Sequence, residues 1–371
     1  MTEPPDHTPD GWAVVHVPLD SAPPGPISTE EDDEEPELPA SGPTPEGPPG
    51  GRIFSLEGRP AAGLYLVAWL LGLLGFGVLF ITLLAASEGV QPAQGMGPVL
   101  GLVGTGLLGL GLATAAGYQV VARAALRPAQ AYRGPSPLIV FGVALLLVGI
   151  ASLILESVGL EPTGNAVGFL ANLIAVELGY AVVVLLFVVR SHAMTWREMG
   201  WPVRRPPREV LVDVFYGAAL MVPTVIGIGF IALVVSGLLV GVKAPDIVPS
   251  SGTGSDVLLL ALATIVVAPL GEELFFRGFA LTAWWRDLGV RSALVRSALF
   301  FALIHIVNVT AVDFDTGVRQ VVLILAQIIP LGFVLGWLFV RRGIVASIAG
   351  HAAYNAVIFL AVLSVRGLPN V

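Results

Sequence analysis

Six side chains in the last third of this 371-residue chain have the types and spacings of a hydrolytic site. Glu272, Glu273 and Arg277 follow the apolar run Leu258–Leu270. On a helix Glu273 and Arg277 are i,i+4 neighbours able to pair, while Glu272 turns about 100° away from Glu273 and stays free to point elsewhere. Phe301 and His305 share one helical face in a second apolar segment, and His351 and Asn355 do so in a third. A carboxylate beside a neutral imidazole can hold a water and take its proton as the water attacks a carbonyl. His351 and Asn355, able to donate hydrogen bonds from one face, suit the oxyanion that then develops. Arg277 would neutralise Glu273, fix its geometry and could contact a substrate carboxylate. The set spells hydrolysis of an amide bond. A metal version stands beside it, with Glu272, His305 and His351 as three zinc ligands and water in the fourth place. The lack of an HExxH pattern and the presence of Asn355 at i+4 from His351 favour the metal-free form, in which no cofactor is required.

These residues sit in a chain that is 55% hydrophobic and only 12% charged, with a mean hydropathy of +0.83. Soluble domains carry about 25% charged residues, so a soluble enzyme is excluded. With 19 Lys and Arg against 27 Asp and Glu, no nucleic-acid partner is expected. Apolar stretches of bilayer-spanning length lie near 61–86, 97–122, 137–155, 166–189, 214–241, 256–271 and onward, 293–310, 319–340 and 343–364. The expected fold is all-α: a polytopic membrane bundle of eight or nine transmembrane helices, with membrane lipids as its surroundings. Ionisable groups inside such spans cost about 2.5–3.5 kcal/mol each at mid-bilayer on insertion scales, so they face the interior and pair. Of five histidines only His305 and His351 lie within spans. Glu177 in the fourth span and Asp213 at the head of the fifth lack such company and read as structural or interfacial. The glycines of the second span, and Gly332 with Gly336 in the eighth, read as sites of close helix approach.

The net charge of -8 divides unevenly, because residues 1–50 hold 12 acids, 13 prolines and no Lys or Arg. Residues 1–55 are therefore expected to be a disordered acidic, Pro-rich tail. Residues 56–209 would hold the N-terminal spans and 210–365 the catalytic spans. With no basic and apolar leader in the first 50 residues, no cleavable signal peptide is expected. Zero cysteines exclude disulfides and thiolate chemistry. Fifteen arginines fall in one alternating set of loops and ends, against Lys243, Arg319 and Arg366 in the other. The positive-inside bias makes the arginine-rich side, and the tail with it, cytoplasmic.

The ordered triple EExxxR, FxxxH and HxxxN, complete within 84 residues, resembles the signature of the CAAX prenyl protease and bacteriocin-processing (CPBP, Abi) family of intramembrane proteases. The resemblance covers roughly residues 210–365. It implies Glu272 as the base that activates water, His305 as the group orienting that water, His351 with Asn355 as the oxyanion site, and Glu273 with Arg277 in support. It also implies a membrane-associated or prenylated-type protein or peptide as substrate, and leaves the metal question open, since both mechanisms are held for the family. The composition points to a bacterial inner membrane. Two rival readings are an ion- or proton-coupled transporter, which the lack of an internal repeat disfavours, and a non-catalytic immunity or scaffold protein.

Overall fold

The computed structural model describes residues 59–87, 96–127, 131–161, 165–201, 205–239, 242, 254–311 and 313–366. The acidic tail, its Trp12–Val17 patch and the connector before Gly254 lie outside the described residues. Within them the chain is helical, with nine helices long and apolar enough to cross a membrane. These are α1 (Ala62–Ser87), α2 (Met96–Leu126), α3 (Pro137–Ser157), α4 (Ala166–Val189), α5 (Pro207–Leu238), α6 (Gly254–Leu288), α7 (Val290–Asn308), α8 (Phe314–Arg342) and α9 (Ile344–Arg366). The sixth apolar stretch thus runs on through the acidic motif as one continuous helix.

Helix α6 is the hub, packing on α4, α7, α8 and α9, while α5 lies along α9. Two single-residue glycine turns fix its neighbours. Gly289 (φ 79°) joins α6 to α7 and Gly343 (φ 85°) joins α8 to α9, both in a left-handed region that side chains disfavour. They fold each pair back with no slack, on the arginine-rich side. Elsewhere caps set the ends: Asn165 accepts from the Gly168 N–H at 2.8 Å to start α4, and Asp313 accepts from Thr316 at 2.9 Å to start α8.

The α1–α2 pair is held differently. A Cβ on Gly75 would come within 2.8 Å of the Leu108 Cα, and one on Gly111 within 2.8 Å of the Gly72 Cα, so the two backbones touch. Gly332 of α8 likewise meets Ala298 of α7, and Gly336 meets Leu294, as the small-residue pattern leads one to expect. The aromatic core lies under α6: Phe275, Phe276 and Phe279 are fully buried, and Phe275 packs on Tyr180 of α4 with ring centres 4.9 Å apart.

Candidate active site

The acidic motif lies between two irregular stretches of α6. The helix widens into π turns at Leu262–Val267 and again at Leu274–Leu281. The first precedes Pro269, which has no N–H to donate and would crowd the carbonyl one turn back in a regular helix. Side chains take up the carbonyls of these turns. Asn355 donates to the Thr264 oxygen at 2.8 Å, Ser297 to that of Phe276 at 3.1 Å, and Thr282 to that of Arg277 at 3.3 Å. The widened backbone therefore needs α7 and α9 in place around it.

Glu273 is fully buried and fully engaged. Its Oε1 accepts from Arg277 Nη1 at 2.8 Å and from His351 Nδ1 at 2.8 Å, and its Oε2 accepts from Ser347 Oγ at 2.5 Å. The i,i+4 pair expected from the sequence is present. Arg277 is also fully buried, with its guanidinium 4.1 Å above the centre of the Phe301 ring. The ring and the Glu273 carboxylate hold the guanidinium in place, and its Nε and Nη2 are buried with no hydrogen-bond partner among the described residues.

Glu272 points the other way. Its Oε2 is buried and has no hydrogen-bond partner among the described residues. Nε2 of His351 lies 3.7 Å away, too far for a direct hydrogen bond. An ionised carboxylate has no proton to give, so the hydrogen between Glu273 and His351 sits on Nδ1, which leaves Nε2 facing Glu272. His305, in the short 3₁₀ turn His305–Asn308 that ends α7, bonds the Phe301 oxygen through Nδ1 at 2.7 Å. Its ring packs edge-on to Phe301, which also touches the His351 ring, with centres 4.6 and 5.7 Å apart. His305 lies within electrostatic reach of Glu272 and His351. Phe301 is thus the common floor of Arg277, His305 and His351. Asn355 is the outlier, because one hydrogen of its amide is spent on Thr264.

Helix α4 adds a side chain that sequence reading set aside. Glu177 is buried, both its carboxylate oxygens lack a partner among the described residues, and it presses on Gly271. A Cβ at 271 would collide with Glu177 Oε2 and come within 2.8 Å of Glu177 Cβ. Glu177 and Glu272 act on each other electrostatically, and both act on Tyr180. The signal in the sequence was Gly271 itself, a residue with no side chain immediately before a charged pair. Asp213, by contrast, pairs with Arg205 at 2.7 Å and Arg342 at 3.9 Å, a structural role as expected.

The zinc alternative asks Glu272, His305 and His351 to surround one ion. Among the described residues no three His, Asp or Glu side chains are grouped closely enough to hold a metal, so the donor set does not fit in this arrangement.

Residues 254–357 match the family described as Rce1-like, type II CAAX prenyl endopeptidase Rce1-like. No curated protein and no solved structure matches the chain. The matched segment takes in α6, α7, α8 and the part of α9 that carries His351 and Asn355. It therefore contains all six residues singled out by spacing, and leaves Glu177 outside. An Rce1-like domain supports a CAAX-type intramembrane endopeptidase in general terms, acting on a peptide or protein from within the lipid.

Proposed function

We propose that this chain hydrolyses a peptide bond in a membrane-associated or prenylated-type protein or peptide, with Glu272 as the base that activates water. The observation that carries the reading is the buried Glu272 Oε2, without a hydrogen-bond partner among the described residues and 3.7 Å from His351 Nε2, beside a Glu273 both of whose oxygens are already bonded. His305 fits the role of water-orienting group, since bonding Phe301 through Nδ1 frees Nε2 to accept from the water. The water would give one proton to Glu272 and attack the carbonyl carbon, and Glu272 would pass that proton to the leaving amine. The second hydrogen of the Asn355 amide and His351 Nε2, when it carries a hydrogen, would face the oxyanion. Glu273 holds the His351 ring and Arg277 holds Glu273. The arginine-rich loops support a cytoplasmic placement of that side and of the N-terminal tail, and the composition supports a bacterial inner membrane.

The test is Glu272→Gln, assayed for cleavage of prenylated and plain membrane peptides in nanodiscs, with thermal unfolding as the check on folding. The expected loss is roughly 10²- to 10⁴-fold. Unchanged cleavage would sink the mechanism. Loss of wild-type activity on chelation, restored by zinc, would transfer the reading to the metal form.

A further inference from the structure

A cavity of about 490 Å³ opens on the arginine-rich side, and none of the six site residues lines it. It lies where α2 and the start of α3, both outside the matched segment, meet the end of α6 and the start of α7. Four arginines line it: Arg123, Arg127, Arg286 and Arg296. Among the described residues the one acid in its wall is Asp287, held by Arg127 Nη1 at 2.7 Å and by the Tyr132 N–H at 3.2 Å. Arg286 is tied to Glu198 at 2.7 Å, and Arg123 donates to the Gly134 oxygen at 2.7 Å. Each uses one nitrogen there, which leaves further N–H groups of the guanidinium fork. Arg296 has no ion pair or hydrogen bond among the described residues, although it sits within a membrane-spanning helix. Its side chain is exposed within the first two turns of α7, where its guanidinium can meet an anion.

A second feature points the same way. The N-terminus of the 21-residue helix α3 reaches the cavity through Ser136 and Pro137, and the Ser136 side chain makes no capping bond. The positive end of the helix dipole therefore adds to the arginines. Leu138, next to Pro137 in α3, and Val295 and Leu299, close to Arg296 in α7, are exposed apolar side chains. A cationic cavity with exposed apolar side chains close in sequence to its lining matches an amphiphile with an anionic head.

We propose that this cavity binds the phosphate of an anionic phospholipid, with Arg296 as its principal unpaired ligand and the acyl chains along α3 and α7. The lipid would bridge the N-terminal helices and the Rce1-like segment. The inference does not rest on the hydrolytic reading.

The test uses the full chain, delipidated in detergent, with native mass spectrometry counting bound molecules as phosphatidylglycerol, phosphatidylcholine or inorganic phosphate is added. One phosphatidylglycerol should bind tightly and phosphatidylcholine at least tenfold more weakly. Arg296→Gln should weaken phosphatidylglycerol about tenfold, since a charge-assisted contact to phosphate is lost. Arg341→Gln removes the same charge from the same side outside the cavity and should leave binding unchanged. Equal binding of both lipids, or equal effects of the two variants, would overturn the proposal in favour of diffuse attraction. Inorganic phosphate displacing the lipid at similar concentration would overturn the lipid assignment.

Discussion

The interior of the bundle and its arginine-rich rim both use arginine–carboxylate pairs, and the pairs are nearly the same length. Arg277 lies 2.8 Å from Glu273, while Arg127 and Arg286 lie 2.7 Å from Asp287 and Glu198. Distance therefore does not separate them; access to water does. Both partners of the interior pair are wholly buried, whereas the Arg286 and Glu198 side chains are 28% and 39% exposed. At the rim, water and salt compete with the pair, and its net worth falls to about 0–1 kcal/mol. Inside, forming the pair gains little over an apolar substitute, but removing one partner strands a charge. The interior network is thus a device for holding geometry, and its strength shows only when it is broken.

The sharpest break is Arg277→Leu. It leaves Glu273 with His351 and Ser347 but no cation, and should cost about 3–5 kcal/mol in an unfolding titration as well as abolish cleavage. A cost no larger than that of a rim variant would overturn the contrast. Next comes Gly271→Ala, which adds one methyl where Glu177 already presses. Overpacking of this kind costs typically about 1–3 kcal/mol, and the displaced helix would carry Glu272 with it, so activity should fall further than stability. Its control is Gly149→Ala in α3, where no atom lies within 4 Å of the new methyl. A gain of roughly 0.5–1 kcal/mol from helix propensity is expected there. Equal outcomes at the two glycines would mean that the interior is not tightly fitted. At the rim, Asp287→Asn loses the Arg127 pair while keeping an oxygen for the Tyr132 N–H, and should cost about 1 kcal/mol or less, measured by the same titration.

The interior was the more legible of the two regions. An ionisable group in an apolar run is rare enough to stand out, so Glu272, Glu273, Arg277, His305 and His351 could be found by composition and spacing alone. Helical periodicity also gave the Glu273–Arg277 pair, because an i,i+4 relation survives the local widening of α6. What spacing could not give was which atoms are already used. The engagement of Asn355 by Thr264 depends on a π turn, which leaves no mark in the sequence beyond Pro269. Glu177 was missed because its partner surface is Gly271, and a packing contact across helices 94 positions apart has no periodicity. The rim was legible only as a charge count. Which arginines pair, and that Arg296 has no partner among the described residues, follows from how four helix ends meet.

Glu198 tests the rim at its most delicate. It closes a reciprocal cap in Thr195–Trp196–Arg197–Glu198: its Oε2 accepts from the Thr195 N–H at 2.6 Å, and its own N–H donates to Thr195 Oγ1 at 3.3 Å. Partial burial by itself would raise this carboxyl, but the Thr195 N–H, Arg286 and the Thr195 hydroxyl outweigh it, and the group is held below the ordinary carboxylate range. A folded-state value below the unfolded one means that the unfolded chain binds more protons in the interval between them. Stability from Glu198 is therefore complete above the ordinary carboxylate range and is lost as pH falls through the lowered value. Because the side chain is more than a third exposed, Glu198→Gln should cost only a few tenths to about 1 kcal/mol at pH 7. The difference in melting temperature between wild type and variant should be largest at neutral pH and close on acidification. A gap that instead persisted at low pH would mean that the cap works by shape, without its charge, and that the rim resembles the interior more than the exposure of its pairs implies.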